Sequence, residues 1–299
     1  MPHAEVPRRF RGTADQPVRS AGIDDYFLGG AHHVGPDRAA ARELAHAIPS
    51  AQSDVWAGRA FARRAAAYLS GQGIRQFLDL GSGIPTAGCL HDLAHNLDPA
   101  ARVAYVDADP TVAELARQRL ADVPHTAVLE ADLRDVDTVL ASAEIADLLD
   151  FSHPIGLFVT AVMQFIPDSD HPGGLLAAYT DALSPGSHLV LSHPTRVSLN
   201  ATQIAVATGV YDATGTPLTL RDPDDLAALF DRHQLLPPSD DAPPAVVPVT
   251  DWRPDPLEQT LTTRSVYGAV GVLPRHDDRP ATRPAAPPPV TGRAPRRHP

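Results

Sequence analysis

The stretch FLDLGSGIPTAG, residues 77–88, decides how this chain is read. An apolar strand carrying Asp79 runs into Gly81 and Gly83, as a nucleotide-binding turn does, but Pro85 and Thr86 follow where a dinucleotide loop brings its third glycine. Glycine tolerates positive φ in a tight turn and lets a ligand approach the backbone. The third glycine of a dinucleotide loop lets pyrophosphate rest on a helix N-terminus. Thr86 fills that place here, and Pro85 has no N–H to offer a phosphate.

The flanking pattern predicts an α/β fold. Ala57, Phe61, Ala65 and Tyr68 recur at helical spacing over 51–70, and Gly71 and Gly73 stop that helix. Strands are expected at Arg75–Leu80, Arg102–Val106, Thr126–Glu130, Ile155–Ala161 and His188–Ser192, with weaker signals at Ala245–Val249 and Val266–Val272. Helices are expected between them: through about Asn96, from Pro110 behind the N-cap Asp109, over 136–149, over 172–183, over 198–208 and from Asp222-Pro223. Such alternation implies right-handed crossovers and a doubly wound, mostly parallel sheet covered on both faces. Residues 1–50 hold two short helical segments, near 24–28 and 36–47, separated by Gly29-Gly30, and read as a helical cap over the ligand edge. The partition is cap 1–50, sheet domain 51–274 and tail 275–299.

Composition narrows the function. Of 299 residues 43% are hydrophobic, enough for a sizeable core, and the formal net charge is −11. Residues 275–299 carry six Arg against two Asp, so the remainder carries about −15, which argues against nucleic acid as the main partner. That Pro/Arg-rich tail lacks an apolar run and is expected to be disordered. No stretch reaches membrane-spanning length and the first residues lack a leader's apolar core, so the expected location is the cytoplasm. The single cysteine, Cys89, excludes an internal disulfide. His91 and His95 have metal-pair spacing, but no third ligand sits at recognisable spacing and no metal is expected. Ser192 lacks a nucleophile-elbow sequence, so a hydrolase triad has no support.

A ligand with an amino-acid end and a nucleoside end but no phosphate suits the loop. Asp79 and the turn backbone can take its ammonium group, Asp107 at the end of AYVD its ribose hydroxyls, and Asp132 at the end of EAD an adenine amine. Three acids on three successive strand ends outline S-adenosylmethionine. Beyond this, LDLGSGIPTAG, YVDADPTVAELAR, LEADLRD, AVMQFIPD, LSPGSHLVLSHPT, WRPDP and YGAVG, with DDYFLGGAHHVGPDRAA near the start, resemble in order a family of actinobacterial S-adenosylmethionine-dependent methyltransferases. The resemblance implies a Rossmann-like class I sheet of seven strands, the last antiparallel. It adds Leu133, offering its backbone to adenine, and Tyr26, closing over the cofactor. The full expected cofactor set is Asp79, Gly81, Ser82, Gly83, Asp107, Ala108, Asp132, Leu133, Thr160 and Tyr26. The chain departs from the family at Ala31-His32-His33, at Gln164 and at Cys89.

Methyl transfer needs a base only when the nucleophile carries a proton. His193 at the end of the fifth strand, Tyr26 and His33 in the cap and Gln164 after the fourth strand are the catalytic candidates, each competing with a structural hydrogen bond. The expected function is methyl transfer to a small molecule. Its rivals are a cofactor-binding regulator without turnover and a nicotinamide-dependent oxidoreductase, which Pro85-Thr86 disfavours.

Overall fold

The computed structural model describes residues 16–86, 88–255 and 262–275; the expected tail lies outside them apart from Arg275. Strands β1 (Gln76–Leu80), β2 (Arg102–Asp107), β3 (Thr126–Glu130), β4 (Gly156–Thr160), β5 (His188–Pro194), β6 (Gln234–Leu235), β7 (Val247–Pro248) and β8 (Val266–Val272) form one sheet. Its order is β3-β2-β1-β4-β5-β8-β6, with β7 also on β8. The β1 to β5 neighbours pair parallel, and β8 runs antiparallel to β5, placing Leu191 opposite Ala269. This corrects the seven-strand expectation to eight. The extra strand, Gln234–Leu235, is two residues long, too short to show a period of two.

Helices α1 (Ser20–Phe27), α2 (Gly35–Ala47), α3 (Ala51–Gly71), α4 (Leu90–Leu97) and α5 (Pro110–Leu120) come from the first half of the chain. The second half supplies α6 (Val136–Ala141), α7 (Ala143–Ala146), α8 (Pro172–Asp181), α9 (Ala201–Asp212) and α10 (Pro223–Ala228). The Asp109 side chain caps α5 by accepting from the Thr111 N–H at 2.8 Å. The single helix expected over 136–149 is broken at Ser142, whose extended backbone starts a new helix under its own hydroxyl cap.

Two apolar layers cover the sheet. Phe61, Phe77, Val103, Phe158 and Trp252 belong to one, and Leu78, Val106, Leu157, Tyr179 and Leu191 to the other. A third cluster joins Ile23, Phe27, Ala41 and Leu44 of the first two helices to Ala207 and Val210 of α9. The cap is therefore built from two distant stretches of chain, with the Gln203 side-chain amide donating to the Ala47 carbonyl at 3.0 Å.

Candidate functional site

The sheet changes winding direction between β1 and β4, and in open α/β sheets ligands bind at the carboxyl ends of the strands beside such a switch. A cavity of about 1560 Å³, its open mouth included, lies there. Its floor is Asp79, Gly81, Ser82, Gly83, Thr160 and Ala161, and its far wall comes from α1, α3 and α9.

The glycine loop is shaped by its neighbours. Gly81 (φ 70°) and Ser82 donate their N–H groups to the Val106 carbonyl at 2.8 and 3.2 Å, bending the chain over β2. A Cβ at Gly81 would lie 2.2 Å from Val162 Cγ2, so the loop packs on the segment after β4 only if this residue is glycine. Gly83 donates to Asp107 Oδ2 at 2.8 Å, and Asp109 donates to Asp107 Oδ1 at 3.0 Å. Burial raises the Asp107 pKa, and these two donors partly oppose the shift.

Charge in the cavity alternates. Asp79 sits on the strand floor, Asp24 on α1, and Arg59 of α3 acts on both. Burial pushes the Asp79 carboxyl up to about 7 and that of Asp24 to about 6, while the Arg59 guanidinium pulls both down; Asp107 adds a smaller upward push on Asp79. Both acids keep partial exposure, which faces the cavity they line. Among the described residues no carboxylate stands within ion-pair distance of Arg59.

Of the expected cofactor residues, Asp79, Gly81, Ser82, Gly83 and Thr160 line this cavity. Asp107 lies behind the loop, with Ala108 exposed beside it. Asp132 is not brought to the cavity. It is a half-buried acid paired with the Arg134 guanidinium, which also reaches Asp170 at 3.0 Å. Leu133 accepts the Tyr179 hydroxyl proton at 2.8 Å through its carbonyl, and its N–H has no partner among the described residues. Tyr26 stands outside, edge-on to the His33 ring at 5.2 Å, with its hydroxyl accepting from Arg42 at 3.4 Å.

The catalytic candidates fare differently. His33 binds Asp25 Oδ2 through Nδ1 at 2.8 Å, and the same oxygen accepts the N–H groups of His32 and His33 at 2.9 Å. A Cβ at Gly30 would lie 1.9 Å from Asp25 Oδ1, so the chain passes directly over that carboxylate only with glycine there, while Gly29 takes the left-handed φ of 74° that turns the chain into this passage. His193 is fully buried, its Nδ1 donating to the Pro194 carbonyl at 2.6 Å and its Nε2 accepting from Arg221 at 3.1 Å. Burial holds its pKa down at about 4. The expectation that His193 faces the acceptor is therefore corrected: both ring nitrogens are occupied, one by the Pro194 carbonyl and one by Arg221, which also donates to the Met163 and Ile166 carbonyls at 2.8 and 2.7 Å. Gln164 does line the cavity; its amide donates to the Ala161 carbonyl at 2.7 Å, and its Oε1 is buried with no partner. His91 is occupied by the Tyr105 hydroxyl at 2.8 Å and His95 by the Ala101 carbonyl at 2.9 Å.

Sequence reasoning missed Arg59 and Asp24. The available signal was a second stripe on α3, Val55, Arg59, Ala62 and Ala66, running beside the sheet-facing stripe of Ala57, Phe61 and Ala65. An arginine among small residues at helical spacing marks a wall that faces space rather than core.

The chain is similar to known proteins over most of its length. The model of a family described as S-adenosyl methyltransferase matches residues 12–274. A crystal structure of a DUF574 family protein from Streptomyces avermitilis is 33% identical, covers 86% of this chain and 98% of its own, and superposes with a TM-score of 0.80. A provisionally assigned methyltransferase from Thermobifida fusca is 29% identical, covers 87% and 96% respectively, and gives a TM-score of 0.78. No curated protein matches. No helix among the described residues is long and apolar enough to cross a membrane.

Proposed function

The chain belongs to the S-adenosyl methyltransferase family, and from that premise we infer that its cavity holds S-adenosylmethionine at the strand end and a small-molecule acceptor at the cap end. When bound, the cofactor supplies a methyl group already activated by a sulfonium. The chain's own task is then placement and exclusion of water.

The donor set suits that ligand. Asp79 meets the ammonium and Arg59 the carboxylate of the amino-acid end. Gly81, Ser82 and Gly83 present backbone without bulk. Asp107 holds one N–H on each oxygen, which leaves lone pairs for ribose hydroxyls. The unpaired Leu133 N–H is available to an adenine nitrogen, and Asp132, neutralised by Arg134, contributes little. A pyrophosphate would find neither a third glycine nor an N–H at Pro85. The cap end, walled by Phe27, Leu44, Ile48, Leu199 and Leu218, suits a compact apolar acceptor.

The observation that carries this reading is Arg59, a cation without an ion-pair partner among the described residues, held in a cavity beside the glycine loop. Titration calorimetry with S-adenosylhomocysteine tests it. Wild type should bind, and Arg59→Ala should bind roughly 10- to 100-fold more weakly, the usual range for a lost charged hydrogen bond. Absence of binding to wild type, or equal binding by the variant, would defeat it.

A further inference from the structure

The cap end of the cavity contains a carboxylate for which cofactor binding has no use. Asp24 shares one face of α1 with Ala21 and Leu28, all lining the cavity, and its side chain accepts no hydrogen bond from any described residue. The charged or titratable groups acting on it are Arg59 of α3 and Tyr211 of α9. Burial, with Asp24 nearby, raises the Tyr211 pKa, so its hydroxyl stays neutral. Elsewhere on the lining, Gln164 Oε1 is buried without a partner, and so is the Ser192 hydroxyl. Asp54, Thr195 and Ser265 also line the cavity but are hydrogen-bonded within the protein, Asp25 lines it with Oδ1 unpaired, and the remaining wall of this end is largely apolar.

The hydroxyls of Tyr211 and Ser192 give this wall one donor each, fewer than the unpaired acceptor sites of Asp24, Asp25 and Gln164. Buried acceptors left unpaired are costly, and an unpaired carboxylate most of all. A ligand that completes this site brings several N–H or O–H groups and, if Arg59 serves the cofactor, one positive charge. Resting on that reading of Arg59, we propose that Asp24 is the acceptor-binding carboxylate and that the acceptor is a compact apolar molecule carrying a protonated amine. An ammonium supplies three donors to a set that offers Asp24, Gln164 and the Tyr211 oxygen. An alcohol brings one donor and no charge, and a carboxylic acid would set like charge against Asp24.

The same carboxylate accounts for the proton. The bound ammonium passes one proton to Asp24, which becomes a neutral carboxyl, and the nitrogen keeps its electron pair as a neutral amine. An acid raised above the ordinary carboxylate range accepts that proton more readily than an exposed one.

Calorimetry on the full chain with 2-phenylethylamine, 2-phenylethanol and 3-phenylpropanoic acid, each with and without saturating S-adenosylhomocysteine, tests the proposal. Wild type should bind the amine at least about ten-fold more tightly than the alcohol and the acid most weakly, the preference expected of a desolvated charge pair. Asp24→Asn should bring the amine down to the alcohol's affinity while leaving S-adenosylhomocysteine within about two-fold, and Asp24→Glu should restore part of the amine preference. Equal binding of the three probes, preference for the acid, or an unchanged amine affinity in Asp24→Asn overturns the proposal. Loss of S-adenosylhomocysteine binding in Asp24→Asn also overturns it, because Asp24 would then belong to the cofactor. Amine preference without any S-adenosylhomocysteine binding to wild type would instead keep the Asp24 site and remove the cofactor reading beneath it.

Discussion

The two ends of the cavity are held by different means. At the strand end, Asp79 and the Gly81–Gly83 turn follow from parallel strands whose tips are fixed by neighbouring ladders, and the contacts that shape the loop come from β2 and the segment after β4. At the cap end, buried acids pin irregular backbone: Asp37 accepts from the Arg19 and Val34 N–H groups at 2.9 Å, and Asp25 does the same for His32 and His33. A sheet places its ligand groups through regular geometry, and a cap of short helices needs specific carboxylates to do so.

The largest test of that contrast is at Gly81. Replacement by alanine forces a Cβ into Val162 at positive φ, and urea unfolding should show a stability loss of about 2–4 kcal/mol, combining overpacking with left-handed backbone strain. A loss under about 0.5 kcal/mol would mean that the loop is not held by the sheet at all. Next comes Asp37→Ala, which strips two backbone N–H groups and the Arg19 guanidinium of a fully buried partner. It should cost roughly 2–3 kcal/mol. Hydrogen exchange should quicken in the first two helices while the sheet stays protected; uniform loosening would erase the contrast.

Asp79 sharpens the comparison through pH. Its pKa of about 7 in the fold lies above its ordinary 3.8, so the folded protein binds more protons than the unfolded chain across that window. The stability tied to the neutral form is complete below about pH 4 and is lost as pH rises through 7. With Asp79 as the proposed partner of the ammonium, affinity for S-adenosylhomocysteine should move the opposite way, because that pairing needs the ionised carboxylate. It should rise about ten-fold from pH 6 to pH 8, as the ionised fraction does. Arg59, Asp107 and, through Arg59, Asp24 face this group, so the slope should vanish in Asp79→Asn and persist in Asp24→Asn. The smallest effect belongs to Asp132→Asn. As one half of an exposed ion pair with Arg134 it should change stability by at most about 0.5 kcal/mol and affinity by less than about three-fold. A ten-fold affinity loss would return it to the adenine site.

The same contrast explains what the sequence made legible. β3 and β8 fall on their expected limits, and the Asp109 cap is where Asp-Pro places it, because period, capping and glycine positions are local. Gly29-Gly30 is visible as a motif, but the reason for Gly30, the passage over Asp25, depends on a fold of the backbone that no pattern encodes. His193 ends a strand, as a base would, yet its surroundings are decided by Arg221, 28 residues later. Asp24 and Arg59 became visible only once helices from different parts of the chain enclosed a common space.

That cap has a consequence for how the protein is made. The apolar faces of Ile23, Phe27 and Leu44 are translated well before their partners Ala207 and Val210, which follow more than 150 residues later. At ordinary elongation rates the first two helices wait on the order of ten seconds with their greasy sides unmatched, as the sheet strands β1 to β5 are translated. The cap end of the cavity is accordingly assembled only after the parallel strands have been made.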